Sequence, residues 1–265
     1  MNKRIGIIGG GNIGKSLAIG LVDSNKVSAD KVWVTRRNVG HLDDLKQKGI
    51  KVGNDNLELV SNSDIIVLAV LPQQLNILLE QLKASIRQDH VIISLISGVT
   101  IDNIKNALGT DVRIGRAMPN TAIAIKESMT CIAHSDKEID AMIREIFECV
   151  GTTVVIAEEQ MTPATALCAC GVAFFLRTIR AASQGGVEIG FHAEEALQMA
   201  IQTAKGAAAL LQENGTHPER EIDKVTSPKG CTIAGLNEME HRGFSSAMIK
   251  GILTSTVKAD GLYEE

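Results

Sequence analysis

The 265-residue chain predicts an α/β fold in which a mostly parallel sheet gives way to helices alone. Three observations predict it. Up to Ala157, short β-branched runs alternate with stretches of helical period, which is the pattern of βαβ units. A glycine cluster, Gly9-Gly10-Gly11-Asn12-Ile13-Gly14, lies between the first strand-like run and the first helical stretch. After Ala157 no strand signal recurs, and the chain becomes rich in Ala, Leu and Gln.

The elements follow in order. Strands are expected at 4–8, 31–35, 65–70, 91–95, 112–117, 130–133 and 153–156. Amphipathic stretches of helix length fall between them at 12–23, 42–48, 74–85 and 101–108. Ser135-Asp136-Lys137-Glu138 has the spacing of a capping box and predicts a helix running to about Cys149. Thr162-Pro163 reads as an N-cap followed by proline at the first helical position. Helices are then expected at 163–189, 193–214, 220–225, 232–241 and 245–260. Gly185-Gly186 weakens the first of these by about 1 kcal/mol per glycine relative to alanine. The small residues beside them, Ala181, Ala182 and Ser183, point to close helix packing. The chain thus divides into residues 1–158 and 159–265. The second part is short and strand-free, so a partner subunit is expected to complete its core.

Composition excludes several functions. Lys and Arg number 27 against 31 Asp and Glu, for a net charge of −4. With no basic stripe, and only one Trp, one Tyr and five Phe, the chain suits neither phosphate-backbone binding nor base stacking. Five cysteines (Cys131, Cys149, Cys168, Cys170, Cys231) form no disulfide framework and read as reduced thiols. His217, His241 and Asp223 are scattered, so no metal site is expected. Lys3 and Arg4 before Ile5, Ile7 and Ile8 imitate a secretion signal, but three glycines and Lys15 interrupt the apolar stretch. The longest apolar run, 165–176, is short of the ~20 residues that span a bilayer. A cytoplasmic protein with no membrane or nucleic-acid partner is expected.

The glycine cluster fits G-x-G-x-x-G at the strand-to-helix turn, where a dinucleotide fingerprint belongs. Gly9 permits the tight turn, Gly11 lets a pyrophosphate approach the main chain, and Gly14 lets the helix pack on the strand. The helix then offers free N–H groups to the anion from Asn12 and Ile13 onward. This makes the first part a Rossmann-type domain. A site for NAD(H) normally carries a carboxylate at the end of the second strand. Here that strand ends Thr35-Arg36-Arg37-Asn38. Two guanidinium groups favour the 2′-phosphate of NADP(H) over NAD(H); the other reading of the pair is a solvated surface. Two later turns, Ala69-Val70-Leu71-Pro72 and Ser94-Leu95-Ile96-Ser97-Gly98, follow apolar strands and belong near the nicotinamide.

Two further segments are more specific. They are Arg116-Ala117-Met118-Pro119-Asn120-Thr121 and Ser227-Pro228-Lys229-Gly230-Cys231-Thr232-Ile233-Ala234-Gly235-Leu236. With the glycine turn, they make the chain resemble pyrroline-5-carboxylate reductase over nearly its whole length. The resemblance implies NADPH-linked reduction of a cyclic imine to L-proline. It also implies that the all-helical C-terminal part is a dimerisation domain, giving a homodimer, often assembled into a larger ring such as a decamer. By position it implies that Asn56 meets the adenosine end of the cofactor and that Met118, Pro119 and Asn120 lie by the nicotinamide. Ala69, Val70 and Pro72 join the cofactor set. Ser227, Lys229, Gly230, Cys231 and Thr232 form the substrate loop, with Ser227 and Thr232 as the catalytic candidates.

The chain departs from the family at several points. Leu71 stands for the usual Lys, and Ala122 for a Pro. Cys168-Ala169-Cys170-Gly171-Val172-Ala173-Phe174 stands for Ser-Gly-Ser-Gly-Pro-Ala-Tyr. Lys229 replaces the first of two loop glycines, and Cys231 a Thr or Ala. Ser227 and Thr232 also read as helix-capping residues, and Lys229 either charges the loop or points to solvent. A ketone reductase must protonate a developing alkoxide and calls for a His or Lys; an imine can arrive already protonated. None of the six histidines lies in a catalytic motif, and the first long helix of the second half, 163–189, holds no Lys. That favours imine reduction. The alternatives are an NADP-dependent reductase of another imine or a β-hydroxyacid, and a non-catalytic NADP-binding relative.

Overall fold

The computed structural model describes residues 1–109 and 111–261; the rest, Tyr263 among them, lie outside the described residues. The chain divides into two compact units. One is Met1–Cys170 with the segment from Thr254 onward; the other is Gly171–Leu253. The expected division at 158/159 is one of element type, where sheet gives way to helix.

The first unit holds an eight-stranded sheet. Its strands are β1 (Ile5–Ile8), β2 (Val32–Thr35), β3 (Lys51–Gly53), β4 (Ile65–Leu68), β5 (Val91–Ser94), β6 (Arg113–Met118), β7 (Ser128–His134) and β8 (Gly151–Val155). Their spatial order is β3-β2-β1-β4-β5-β6-β7-β8. Every neighbouring pair is parallel except β6 and β7. The order reverses between β1 and β4, and the crevice outside the carboxyl ends at such a point is where ligands bind in open sheets.

Strands β1, β2, β4 and β5 are buried at every position. Helices on both faces explain their unbroken apolar runs. On one face, Ile5, Ile7, Val32, Val34 and Val67 pack with Leu17 and Leu21 of α1 (Asn12–Asp23) and Ile143 and Phe147 of α6 (Asp140–Phe147). On the other, Ile8, Ile66, Leu68 and Ile92 meet α3 (Asn56–Ser61), α4 (Pro72–Leu82) and α5 (Ile101–Leu108) through Leu59, Leu75, Leu79 and Ile104. A short helix α2 (Asp43–Gln47) adds Leu45 to the first cluster.

Three local differences have physical reasons. Strand β3 and helix α3 were not expected. A three-residue edge strand shows no periodicity, and α3 depends on Asp55, whose Oδ1 accepts from the N–H groups of Leu57 and Glu58 at 2.9 and 3.0 Å. Ser135 does not cap the following helix. Its hydroxyl accepts from Ile114 N–H at 3.1 Å, and Asp136 caps the 3-10 turn Lys137–Ile139 instead. Thr162 is likewise no N-cap: the helical run begins at Glu158, passes through α7 (Met161–Ala164) and a π-helical turn, Thr165–Cys170, and continues as α8 (Gly171–Glu188).

In the second unit, α8 packs on α9 (Ala193–Asn214). A Cβ on Gly186 would lie 2.9 Å from Ala196 Cβ, and Ser183 is buried, so these two serve close packing. Ala181, Ala182 and Gly185 point outward. Then come α10 (Pro218–Lys224) and α11 (Cys231–His241), with α12 (Phe244–Asp260) beginning in this unit. Among residues 171–253, only Gly171, Ser183 and Ala196 are buried. Phe175, Leu176, Ile201, Leu210, Ile249 and Leu253 are exposed. The helical run Glu158–Glu188 has 31 residues and is long and apolar enough to cross a membrane by length and composition. The count of 165–176 understated it, because the helix continues on both sides of that run.

Arg116 of β6 is 3 % exposed. Its Nη1 donates to Glu158 Oε1 at 3.1 Å, and the same oxygen accepts from Ile101 N–H at 2.7 Å. Burial pushes the guanidinium pKa down, against the pull of Glu158. Removing one partner of such a pair leaves a buried charge uncompensated. Glu158→Ala is therefore expected to cost about 3 kcal/mol in urea denaturation. Arg116→Met combined with Glu158→Ala should recover part of that loss.

Candidate active site

A cleft of about 1090 Å³ opens where the strands of the sheet end. Its walls come from the turns after β1, β2, β4, β5 and β6.

The turn after β1 is built by close backbone approach. A Cβ on Gly9, whose φ is +112°, would fall 2.3 Å from the Ala69 carbonyl oxygen. One on Gly14 would fall 2.2 Å from the Gly9 carbonyl. Gly11 has nothing within 4 Å of its Cβ position and faces open space. The N–H groups of Gly9 and Gly10 both donate to Thr35 O, at 3.1 and 2.9 Å, and so are used within the protein. Gly11 caps α1 without a side-chain hydrogen bond. The first-turn N–H groups of α1 thus have neither an intrahelical partner nor a side-chain cap. This donor set suits a pyrophosphate.

At the end of β2, Arg36 is half-buried and its Nη1 donates to Gly10 O at 3.0 Å. Arg37 is exposed. Thr35 donates its hydroxyl to Asn56 Oδ1 at 2.7 Å, which fixes the Asn56 side chain at the end of β2 in the cleft wall. None of the described residues lining the cleft is a carboxylate. A dinucleotide with a phosphorylated ribose fits this wall.

At the other end, Met118 and Asn120 line the cleft, and Ser97 donates to Met118 Sδ at 3.7 Å. Asn120 is almost fully committed to structure. Its Oδ1 accepts from Ala122 N–H at 3.0 Å, and its Nδ2 donates to Cys168 O at 3.1 Å. That second bond seats the π-helical turn against β6, and Ala169 of this turn enters the cleft wall.

Of the residues expected to hold cofactor, Gly9, Gly11, Asn12, Ile13, Arg36, Arg37, Asn56, Ala69, Val70, Met118 and Asn120 line the cleft. Gly14 and Pro72 do not. Gly14 is spent on packing α1 against the turn, and Pro72 fixes the start of α4. Thr35, Gln73, Gln74, Ser97 and Ala169, none of them among the expected cofactor residues, also line the cleft. The first four adjoin strand ends that were legible; Ala169 arrives through a π-helical turn that leaves no periodic signal.

The loop 226–230 belongs to the second unit. Gly230, not Thr232, is the N-cap of α11, and Thr232 sits in its first turn. Gly230 N–H donates to Ser227 O at 2.9 Å. Lys229 has φ +57°, a conformation suited to glycine. Ser227, Lys229 and Cys231 are exposed.

Beneath Met118 lies a small cluster of Met118, Cys131, Ala133 and Met161, with Cys168 packed against it. The sulfurs of Cys131 and Cys168 are 3.7 Å apart. The Cys131 thiol, donating to its neighbour, lowers the Cys168 pKa to about 7 despite burial. Donation and burial push Cys131 upward. A pKa below the usual thiol value means that the thiolate gains population as pH rises through about 7. Iodoacetamide labelling of Cys168 should therefore rise in that range, as read by mass spectrometry of tryptic peptides. Cys131→Ser should keep a hydroxyl donor and most of the effect, whereas Cys131→Ala should return Cys168 toward the ordinary thiol range.

Comparison with known proteins agrees with this geometry. Residues 158–262 match the family model for pyrroline-5-carboxylate reductase dimerisation, and residues 4–98 match that for "NADP oxidoreductase coenzyme F420-dependent". Pyrroline-5-carboxylate reductase 1 of Dictyostelium discoideum is 52% identical over 98% of this chain, which spans about half (50%) of that relative's length. Pyrroline-5-carboxylate reductase 2 of the same organism is 47% identical, with 97% of this chain and 92% of the relative covered. The solved pyrroline-5-carboxylate reductase of Coxiella burnetii superposes with a TM-score of 0.91, at 30% identity over 99% of both chains. The Plasmodium falciparum enzyme, solved with NADP bound, gives 0.89 at 24% identity, with 99% of this chain and 98% of that one covered. The glycine turn, the helical second half and these likenesses agree: the chain belongs to the pyrroline-5-carboxylate reductase family.

Proposed function

We propose that the chain reduces 1-pyrroline-5-carboxylate to L-proline with NADPH. The observation that carries this reading is the cleft itself. Uncapped helix N–H groups stand at its centre, two guanidiniums without a carboxylate at one end, and Met118 and Asn120 at the other. Family membership supplies the substrate class.

Bound NADPH supplies a hydride. The protein's own residues do the rest. The N–H groups of Gly11, Asn12 and Ile13 hold the pyrophosphate, and the dipole of α1 favours its charge. Arg36 and Arg37 take the 2′-phosphate, with Asn56 at the adenosine ribose. Met118, Pro119 and Asn120 form a largely apolar floor under the reacting ring and keep water from it. By the family resemblance, Ser227, Lys229, Gly230, Cys231 and Thr232 would hold the substrate, with hydroxyls and N–H groups offered to its carboxylate. The imine nitrogen arrives protonated. Reduction of such an iminium would leave a neutral amine, so no oxyanion needs a proton. This accounts for the lack of Lys in the helix 158–188.

The second unit associates with a second copy of the chain. Its exposed apolar side chains need cover, and a homodimer, assembled further into a ring such as a decamer, provides it. The long helix 158–188 then packs in protein rather than lipid, in a cytoplasmic enzyme.

Three outcomes test this. The wild type should prefer NADPH, and Arg36→Ala should raise the KM for NADPH about tenfold or more, leaving that for NADH little changed. A wild-type preference for NADH would refute the cofactor assignment. Thr232→Ala should lower kcat/KM for pyrroline-5-carboxylate while NADPH affinity, read by fluorescence, stays constant. Ile249→Glu should shift the mass in light scattering toward the monomer; an unchanged mass would remove the face of α12 from the interface.

A further inference from the structure

We propose that Cys131 and Cys168 form a redox-sensitive dithiol beneath the floor of the cleft, closing reversibly to a disulfide when a hydroperoxide is the oxidant. Three features of place and chemistry support it. The two sulfurs are already neighbours at 3.7 Å, against about 2.05 Å in a disulfide. They sit on different elements, Cys131 on β7 and Cys168 in the π-helical turn, so a bond between them links segments 37 residues apart. The pair also differs from the other three cysteines. Cys149 donates to the Glu145 carbonyl, Cys231 is exposed on another element, and Cys170 has no sulfur neighbour in hydrogen-bond range among the contacts of the described residues.

The chemistry balances. The thiolate of Cys168 attacks the peroxide oxygen, giving a sulfenic acid and releasing hydroxide, which takes up a proton to become water. The Cys131 sulfur then attacks the Cys168 sulfur, and hydroxide leaves with the Cys131 proton as a second water. Two thiols lose two electrons and two protons, and one hydroperoxide becomes two waters if it is hydrogen peroxide. A small dithiol reverses the reaction by exchange.

The consequence reaches the cleft through the hydrogen-bond partner of Cys168 and through its chain neighbour. Its carbonyl accepts from Asn120, which stands in the cleft wall, and the next residue, Ala169, lines the cleft as well. Drawing Cys168 toward β7 by the difference between contact and bond moves both. A π-helical turn is the part of a helix that yields to such a shift. Oxidation is therefore expected to weaken cofactor binding, a consequence that rests on the assignment of the cleft to NADPH.

The test treats purified full-length protein with hydrogen peroxide and reads it three ways. Thiol titration should fall by two of five groups and recover with dithiothreitol. Tryptic mapping without reduction should join the peptide 127–137 to the peptide 145–177, in the wild type and in Cys170→Ser but not in Cys131→Ser or Cys168→Ser. NADPH affinity, read by fluorescence, should fall about fivefold or more on oxidation of the wild type and remain unchanged in Cys131→Ser. A map showing Cys168 joined to Cys170, or both thiols still free after the others have reacted, overturns the proposal. A Cys131–Cys168 bond that leaves NADPH affinity unchanged overturns its control of the cleft. Failure of even the reduced protein to bind NADPH would instead refute the function proposed above, and the peptide map would still decide the disulfide.

Discussion

The cleft depends on how near three stretches of backbone come to one another after β1. Gly9 and Gly14 have no room for a side chain, because the Ala69 carbonyl and the Gly9 carbonyl fill the space. That contact brings β1, β4 and α1 together. It also leaves the first N–H groups of α1 uncapped, and so opens a place for an anion. A methyl group at either glycine would push the turn off the sheet, and the uncapped start of α1 and the order reversal between β1 and β4 would lose their common centre. The Thr35 carbonyl, accepting from Gly9 and Gly10, then fixes the arginine pair relative to that cradle.

The far end of the cleft is held by polar bonds between elements rather than by the sheet. Asn120 joins the end of β6 to the π-helical turn, and Glu158 joins β6 to the start of α5. Both are specific and both are buried enough that losing one partner is costly. Helix 158–188 therefore begins on the sheet with fixed geometry. The second unit is the opposite case. Few of its side chains are buried, and its apolar residues face outward, a surface that self-association would cover.

The proposed dithiol follows from this arrangement. The pattern that the sequence resembles implies serines at positions 168 and 170, and this chain has cysteines. Replacing a hydroxyl by a thiol beside Cys131 changes an ordinary packed turn into one with redox chemistry, at the point where that turn touches the cleft.

Much was decided by local pattern. The helices 12–23, 101–108 and 193–214 and the buried strands were legible because period and burial reinforce each other over many residues. The glycine turn and the arginine pair were legible because they lie at fixed offsets from a strand. What only the tertiary structure decided involves contacts distant in sequence. Ser135 prefers the Ile114 N–H to the helix it precedes, Asp55 caps a helix too short to show a period, and Gly14 and Pro72 build the cleft from behind its wall. The meeting of Cys131 with Cys168 is of the same kind. Period and spacing record what a residue needs from its near neighbours; they hold no record of which distant group a folded chain brings within bonding distance.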